Sequence, residues 1–297
     1  MSDKNELIDL LKEKRPSLSV STLYSYSSTL RGLYKRVFGD NDIDIKNFNK
    51  VDIIMKDLES KPATVRKTVL AILYVLTDKP EYQKQMQEDI KTYKEETNKQ
   101  EMNEKQKEHH LSQEDIFIKF KDLEKKAKLL YKKPELTNKD KQVIQDYVIV
   151  ALTSGIYIPP RRSLDWCAFK VREIGESDNC LHKNKLVFKT YKGSGKKGEQ
   201  EIDCPKALMM LLNKWIAIND SDYLLHDING KALNNVKMNQ RLNKIFGAGF
   251  SINNLRHSYL SEKYQDTIAL GKDMEKTFND MGSSSSQSKI YINKLED

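Results

Sequence analysis

Hydrophobic positions along this chain recur at helical rather than strand spacing, and the first clear instance follows Ser19-Val20-Ser21-Thr22. Those hydroxyl residues offer N-cap groups to a segment in which Leu23, Tyr26, Leu30, Leu33, Tyr34 and Val37 mark one face of an amphipathic helix. Gly39 and Asp40 end it. Val51 to Leu58 predicts a second helix, and Val65, Val69, Leu70, Ile72, Leu73 and Leu76, following Pro62, predict a third. With no strand signal between them, residues 1–80 read as a compact helical bundle.

From Glu81 to His110 strong hydrophobes thin out to Met86, Ile90, Tyr93 and Met102 amid Lys, Glu, Gln and Asn, the pattern of an exposed charged helix or a linker. Leu111-Ser112-Gln113-Glu114-Asp115 then supplies a cap and an acidic first turn. Ile116, Phe120, Leu123, Ala127, Leu129 and Leu130 restart an apolar face. A second domain is therefore expected over residues 111–297. Within it, Gln142 to Ser154 is strongly apolar and helical, closed by Gly155 and kept from continuing by Pro159-Pro160. Lys185 to Tyr191 alternates as a strand and Glu201 to Cys204 is a short second one. The glycine-rich, basic Lys192-Gly193-Ser194-Gly195-Lys196-Lys197-Gly198 between them predicts a β-hairpin. Helical spacing resumes from Leu208 to Ile216, around Leu233 to Phe246, and from Asn254 to Leu270. The expected fold is mainly α: a helical N-terminal domain, then a mixed, mostly helical domain with a small antiparallel hairpin or sheet.

Composition narrows the class. At 297 residues the length fits two domains, and 38% hydrophobic against 32% charged residues leaves enough apolar material for a core in each. The longest apolar run, Val69 to Leu76, is far short of the ~20 residues that cross a bilayer. The opening Met1-Ser2-Asp3-Lys4-Asn5-Glu6 lacks the apolar core of a secretory signal, so no membrane association and an intracellular location are expected. Cys167, Cys180 and Cys204 are odd in number and share no C-x-x-C spacing, which points to reduced thiols rather than disulfides or a metal site. Adjacent His109 and His110 sit in a charged run and read as solvated, not as metal ligands. The net charge of +8 is uneven: residues 1–110 carry 20 basic and 19 acidic side chains, whereas residues 111–297 carry 31 and 24. A basic partner surface is expected in the second half.

Four features of that half combine into one chemistry: Arg161 and Arg162 after a helix stop, Lys192 at the hairpin tip, Arg256 in Leu255-Arg256-His257-Ser258, and Tyr291 near the C-terminus. A phosphodiester attacked by a phenolate gathers charge on its non-bridging oxygens, and two guanidiniums clamp those oxygens while staying charged at any physiological pH. A lysine on a tip can protonate the leaving oxygen. The phenol stores the bond as a phosphotyrosyl ester, with no need of metal or nucleotide cofactor.

In these residues the chain resembles the tyrosine recombinase (phage integrase) family. Arg162-Ser163-Leu164-Asp165 looks like that family's first box, an arginine followed three residues later by an acid. Asn253-Asn254-Leu255-Arg256-His257-Ser258 is similar to the second, usually His-x-Leu-Arg-His-Ser or Thr. Met281-Gly282-Ser283-Ser284 with Ile290-Tyr291 resembles the terminal box, usually Leu-Gly-His-Ser with a tyrosine eight to nine positions after the histidine. The resemblance implies a helical core-binding domain over 1–80, a linker over 81–110 and a catalytic domain over 111–297, forming a C-shaped clamp on double-stranded DNA. It further implies Arg162 and Arg256 as phosphate clamp, Lys192 as general acid, Asp165 as structural acid, Tyr291 as nucleophile, and a homotetramer on two duplexes. The departures are similar to those of divergent mobile-element or viral members.

Two of those departures touch the chemistry. Asn253 and Ser283 stand where the family usually has histidine, or tryptophan at the second position; both donate hydrogen bonds to a phosphoryl oxygen but neither takes a proton near neutral pH. The alternative is thus a catalytically impaired DNA-binding module on the same fold. Either version should bind DNA with a log–log salt slope of about 0.9 per phosphate contact. Among neighbours, Arg161 is expected to be a surface or DNA-backbone charge, Lys196 and Lys197 compete with Lys192, and Glu262 is a possible salt-bridge partner for Arg256. His257, about 100° round the helix from Arg256, is expected to pack inside. Tyr24, Tyr26 and Tyr34 read as helix-core aromatics.

Overall fold

The computed structural model describes residues 2–39 and 42–282. Among them the chain is mainly α-helical, with a three-stranded antiparallel sheet, and it divides into two compact units, Met1–Met102 and Asn103–Asp297.

The first unit holds α1 (Ser2–Lys14), α2 (Val20–Phe38), α3 (Val51–Glu59), α4 (Ala63–Thr77) and α5 (Pro80–Asn98). Ser19 caps α2, accepting from the Thr22 amide at 3.2 Å, and Leu23, Leu30, Leu33 and Tyr34 turn inward as their spacing demands. Tyr26 is half-buried, whereas Tyr24 lies on the outer face at 49% exposed, against expectation. Among its described side chains, α1 buries Leu7 and Leu11 in the core and packs half-buried Ile8 and Leu10 against it.

The segment expected to be an exposed helix or linker behaves differently at its start. α5 packs along α4, burying Tyr82 and Asp89 completely. The Tyr82 hydroxyl donates to the Phe48 carbonyl at 2.8 Å. Asp89 accepts from Arg66 Nε at 3.1 and 3.2 Å and from Gln85 Nε2 at 3.3 Å. A core joined through an ion pair escapes a search for apolar residues, which is why α5 reads as solvated in the sequence.

The second unit begins with α6 (Glu104–Glu108), then α7 (Gln113–Leu130) and α8 (Asn138–Thr153); the last two start at capping boxes, Ser112/Asp115 and Thr137/Asp140. Every residue of α8 from Ile144 to Thr153 is buried. A helix covered on all sides is the centre of its unit, and α7, α11 (Lys206–Ile218) and α13 (Ile252–Lys263) pack around it. The core continues through Trp166, Phe169, Phe188 and Trp215, whose Nε1 donates to the Leu224 carbonyl at 2.7 Å. Arg172 caps the C-terminal end of α11, donating to the carbonyls of Ile216, Asn219 and Ser221 at 2.7–2.8 Å.

The sheet runs β1 (Cys180–His182), β2 (Lys185–Phe188), β3 (Gln200–Asp203), in that order, with Leu181 opposite Leu186 and Leu186 opposite Ile202. β1 is not visible in the sequence pattern. Its tight turn to β2 is Lys183-Asn184, with φ of 46° and 64°, the two left-handed residues that a type I′ hairpin requires. The β2–β3 connection carries one helical turn, α10 (Ser194–Lys197), between Gly193 and Gly198, both at positive φ. After α9 (Ser163–Cys167) and α11 come α12 (Asn235–Phe246), α13 and α14 (Gln265–Asp280). No described helix is long and apolar enough to cross a membrane.

Asp89→Ala should destabilise the first unit by about 3–5 kcal/mol, because it strands the Arg66 guanidinium beside a buried site. Both tryptophans lie in the second unit, so far-ultraviolet dichroism should show an early transition that tryptophan emission does not. In that second unit, burial pushes the Cys167 and Cys204 thiols up to about 11 and the Tyr131 phenol up to about 12. Raised acids hold their protons in the folded state and release them first when unfolded. Stability followed by tryptophan emission should therefore fall as pH rises through the ordinary thiol range toward about 11.

Candidate functional site

Past Gly155 the chain runs through Pro159-Pro160 into the N-terminus of α9, and the two arginines there part company. Arg162 is extended, with φ −70° and ψ 152°, so successive side chains project to opposite sides. Arg162 points out, exposed, with no ion pair or hydrogen bond among the described residues. Arg161 turns in, with its side chain 14% exposed. Its Nε donates to buried Asp165 at 2.9 Å and its Nη1 to Gln200 Oε1 at 3.0 Å. Its guanidinium carbon lies 3.8 Å from the ring centre of Phe188 and 5.1 Å from that of Tyr191.

This junction meets the neck of the hairpin loop. The Tyr191 hydroxyl donates to the Gly198 carbonyl at 2.9 Å, closing the neck, and Lys192 follows immediately, exposed and without an acidic partner among the described residues. Asn179 fastens the same region from below. Its amide donates to the carbonyls of Asp165 (3.1 Å) and Thr190 (2.8 Å), and its Oδ1 accepts from the amides of Lys189 and Thr190, both at 2.9 Å.

The second box forms the first turns of α13, opened by a capping box between Ser251 and Asn254. Ile252, Leu255 and Ser258 face inward, so Asn253 is exposed and Arg256 half-buried on the other side. Arg256 Nη1 reaches Asn253 Oδ1 at 3.5 Å, the outer limit of a hydrogen bond, and pairs with no acid among the described residues. The Tyr259 ring seats α13 on the end of α8. A Cβ at Gly155, where φ is +90°, would lie 2.3 Å from Tyr259 Cδ2, so only glycine fits.

The structure therefore brings Arg162 and Lys192 to adjoining segments, through the contact between Arg161 and Tyr191, and it brings Asn253 to Arg256. Ser283 and Tyr291 lie outside the described residues. Three cations, Arg162, Lys192 and Arg256, project from rigidly seated elements without a described carboxylate to neutralise them, an arrangement suited to a polyanion. Among the described residues no group of three or more His, Cys, Asp or Glu could hold a metal ion.

No protein-family model matches the chain, and no curated protein matches it in sequence. Among solved structures, a XerH site-specific recombinase bound to its difH substrate, in a pre-cleavage complex, aligns over 98% of this chain and 94% of that one. The identity is 14% and the TM-score 0.41. At that level the likeness assigns no role to any residue of this chain.

Several local expectations change. His257 is exposed rather than packed, because the inward face is set by Ile252, Leu255 and Ser258, and the 100° step from Arg256 carries His257 further out. Glu262 accepts from the Gln113 amide at 3.0 Å, tying α13 to the start of α7, and is six residues from Arg256, off its face. The His109 side chain is only 15% exposed and rests on Gly249, where a Cβ would come within 2.1 Å of its Nε2. Arg161 is an interior ion-pair partner, not a surface charge. Its four-residue spacing to Asp165 is the one sequence signal that reveals it. Asn179 carries no such signal, since its four bonds reach residues 10–14 positions away.

Gly155→Ala should cost about 2–4 kcal/mol, adding left-handed strain to a collision with Tyr259. Tyr259→Ala in the same chain should recover part of that loss, and a double-mutant cycle on chemical denaturation followed by tryptophan emission measures the coupling.

Proposed function

We propose that this protein is a site-specific DNA recombinase that cleaves and rejoins duplex DNA through a 3′-phosphotyrosyl intermediate. The observation that carries this reading is the trio of unneutralised cations, Arg162, Lys192 and Arg256, presented by three chain segments of one unit: the start of α9, the β2–β3 loop and α13. Arg162 and Arg256 clamp the non-bridging oxygens of the scissile phosphate, where charge grows in the transition state. The Tyr291 phenol oxygen forms the new bond to phosphorus as the bond to O5′ breaks. The electron pair leaves with O5′, which takes a proton from Lys192, and the phenol proton passes to water. A 5′-hydroxyl of a second duplex then attacks the phosphotyrosine and releases the phenol. Four copies acting on two duplexes complete an exchange.

A second reading is a DNA-binding module without strand cleavage. It is favoured by Asn253, whose amide oxygen faces Arg256 and which has no group able to take a proton near neutral pH, and by Ser283 at the other position where the family usually has histidine.

One selection separates the two. Singly nicked duplexes with a randomised central sequence are incubated with the protein, and covalent products surviving SDS are captured and sequenced. The recombinase reading expects enriched sequences attached at a 3′-phosphate, none with Tyr291→Phe, and formation rates reduced by about 10²–10³ in Arg162→Ala and Arg256→Ala. Salt-dependent DNA binding with no covalent product would leave the module; no DNA binding would sink both.

A further inference from the structure

We infer that Arg161 and Asn179 are positioning residues that set Lys192, the proton donor of the recombinase reading on which this inference rests, at a fixed place relative to Arg162. The Arg161–Asp165 pair is nearly enclosed, with side chains 14% and 5% exposed. Enclosed ion pairs commonly add little stability over well-packed apolar residues of the same size, so stability alone does not account for one here. Direction does. A guanidinium is a rigid planar fork, and this one engages a different segment on each side: Asp165 of α9, Gln200 of β3, the ring of Phe188 on β2, and the ring of Tyr191 at the loop neck.

An apolar side chain would fill the same volume without fixing the angle between those segments. Asn179 adds a second fastening between the same partners, with both donors and its acceptor oxygen in use, joining the Asp165 carbonyl to the backbone of Lys189 and Thr190. The two fastenings flank the exit of β2, and the next outward side chain is Lys192. Arg162 follows Arg161 directly, just as Lys192 follows Tyr191, so one contact between interior neighbours fixes the spacing of two exterior cations. Lys196 and Lys197 lie beyond Gly193 in the exposed turn α10, where their amides donate only to the Gly193 carbonyl of the loop itself, at 3.0 and 3.1 Å, and not to the body of the unit.

The test uses a duplex sequence recovered by the selection above, made with oxygen or with sulfur at the 5′-bridging position of the scissile phosphate. Sulfur leaves as a thiolate and needs no proton, whereas an alkoxide does. Lys192→Ala should form the covalent product about 10²-fold more slowly on the oxygen duplex and near the wild-type rate on the sulfur one. Arg161→Met should show the same pattern, with a loss of about 10²-fold on oxygen, the scale of a ~1 Å misplacement, recovery on sulfur and unchanged DNA affinity. Arg161→Lys should fall between it and wild type. Arg161→Met with Asp165→Leu serves if the single variant does not fold, since it leaves no enclosed carboxylate unpaired.

A wild-type rate for Arg161→Met on oxygen, or a defect that persists on sulfur, would overturn the positioning role and leave the recombinase reading intact. So would a Lys192→Ala defect that sulfur does not rescue, because nothing would then act through that lysine. If the wild type forms no covalent product on either duplex, the recombinase reading itself fails and this inference goes with it.

Discussion

The second unit depends on the complete enclosure of α8. A helix buried from Ile144 to Thr153 has no solvent face, so its neighbours must meet it with apolar surface or with partners for its buried polar groups, as Arg241 does for Asp146 and the His226 backbone for Gln145, and its end must be closed by something small. Gly155 closes it, under the ring of Tyr259. That choice fixes where α13 begins, and with it which residues of the Asn253 to Ser258 segment can look outward. The candidate site is thus a consequence of core packing before it is a matter of charge.

Charge then works in two registers. Enclosed ions, such as Asp89 with Arg66 in the first unit and Asp165 with Arg161 in the second, hold elements at defined angles and are spent on the protein's own architecture. Cations one residue away, Arg162 above all, are left without carboxylate partners among the described residues and face outward. Adjacent arginines of identical chemistry differ only in the direction that an extended backbone gives each of them. One is scaffold and the other is available to a ligand.

The hairpin shows how a basic loop can be exposed at its tip yet determined at its base. Lys192 to Lys197 make no described ion pairs, but the Tyr191 hydroxyl and ring, with Asn179 beneath, restrict the neck through which the loop leaves the body. Loops on rigid scaffolds are where binding chemistry is usually carried. Here the scaffold includes polar groups that a purely hydrophobic account of the core would omit.

Much was legible from the chain alone. The spacing of Leu23, Leu30 and Leu33, the capping residues of α7, the stop at Gly155 and the glycine-flanked loop are local signals that survive folding, because helix and turn preferences act over a few residues. The sequence also sufficed to mark Arg162, Lys192 and Arg256 as candidates. It did not show β1 or the attachment of α5, whose contacts are short or ionic. Nor did it separate Arg161 from Arg162, turn His257 outward, or find Asn179. Those outcomes rest on partners 10 or more positions away, or on which face of a helix the core happens to claim, and only the assembled tertiary structure decides either.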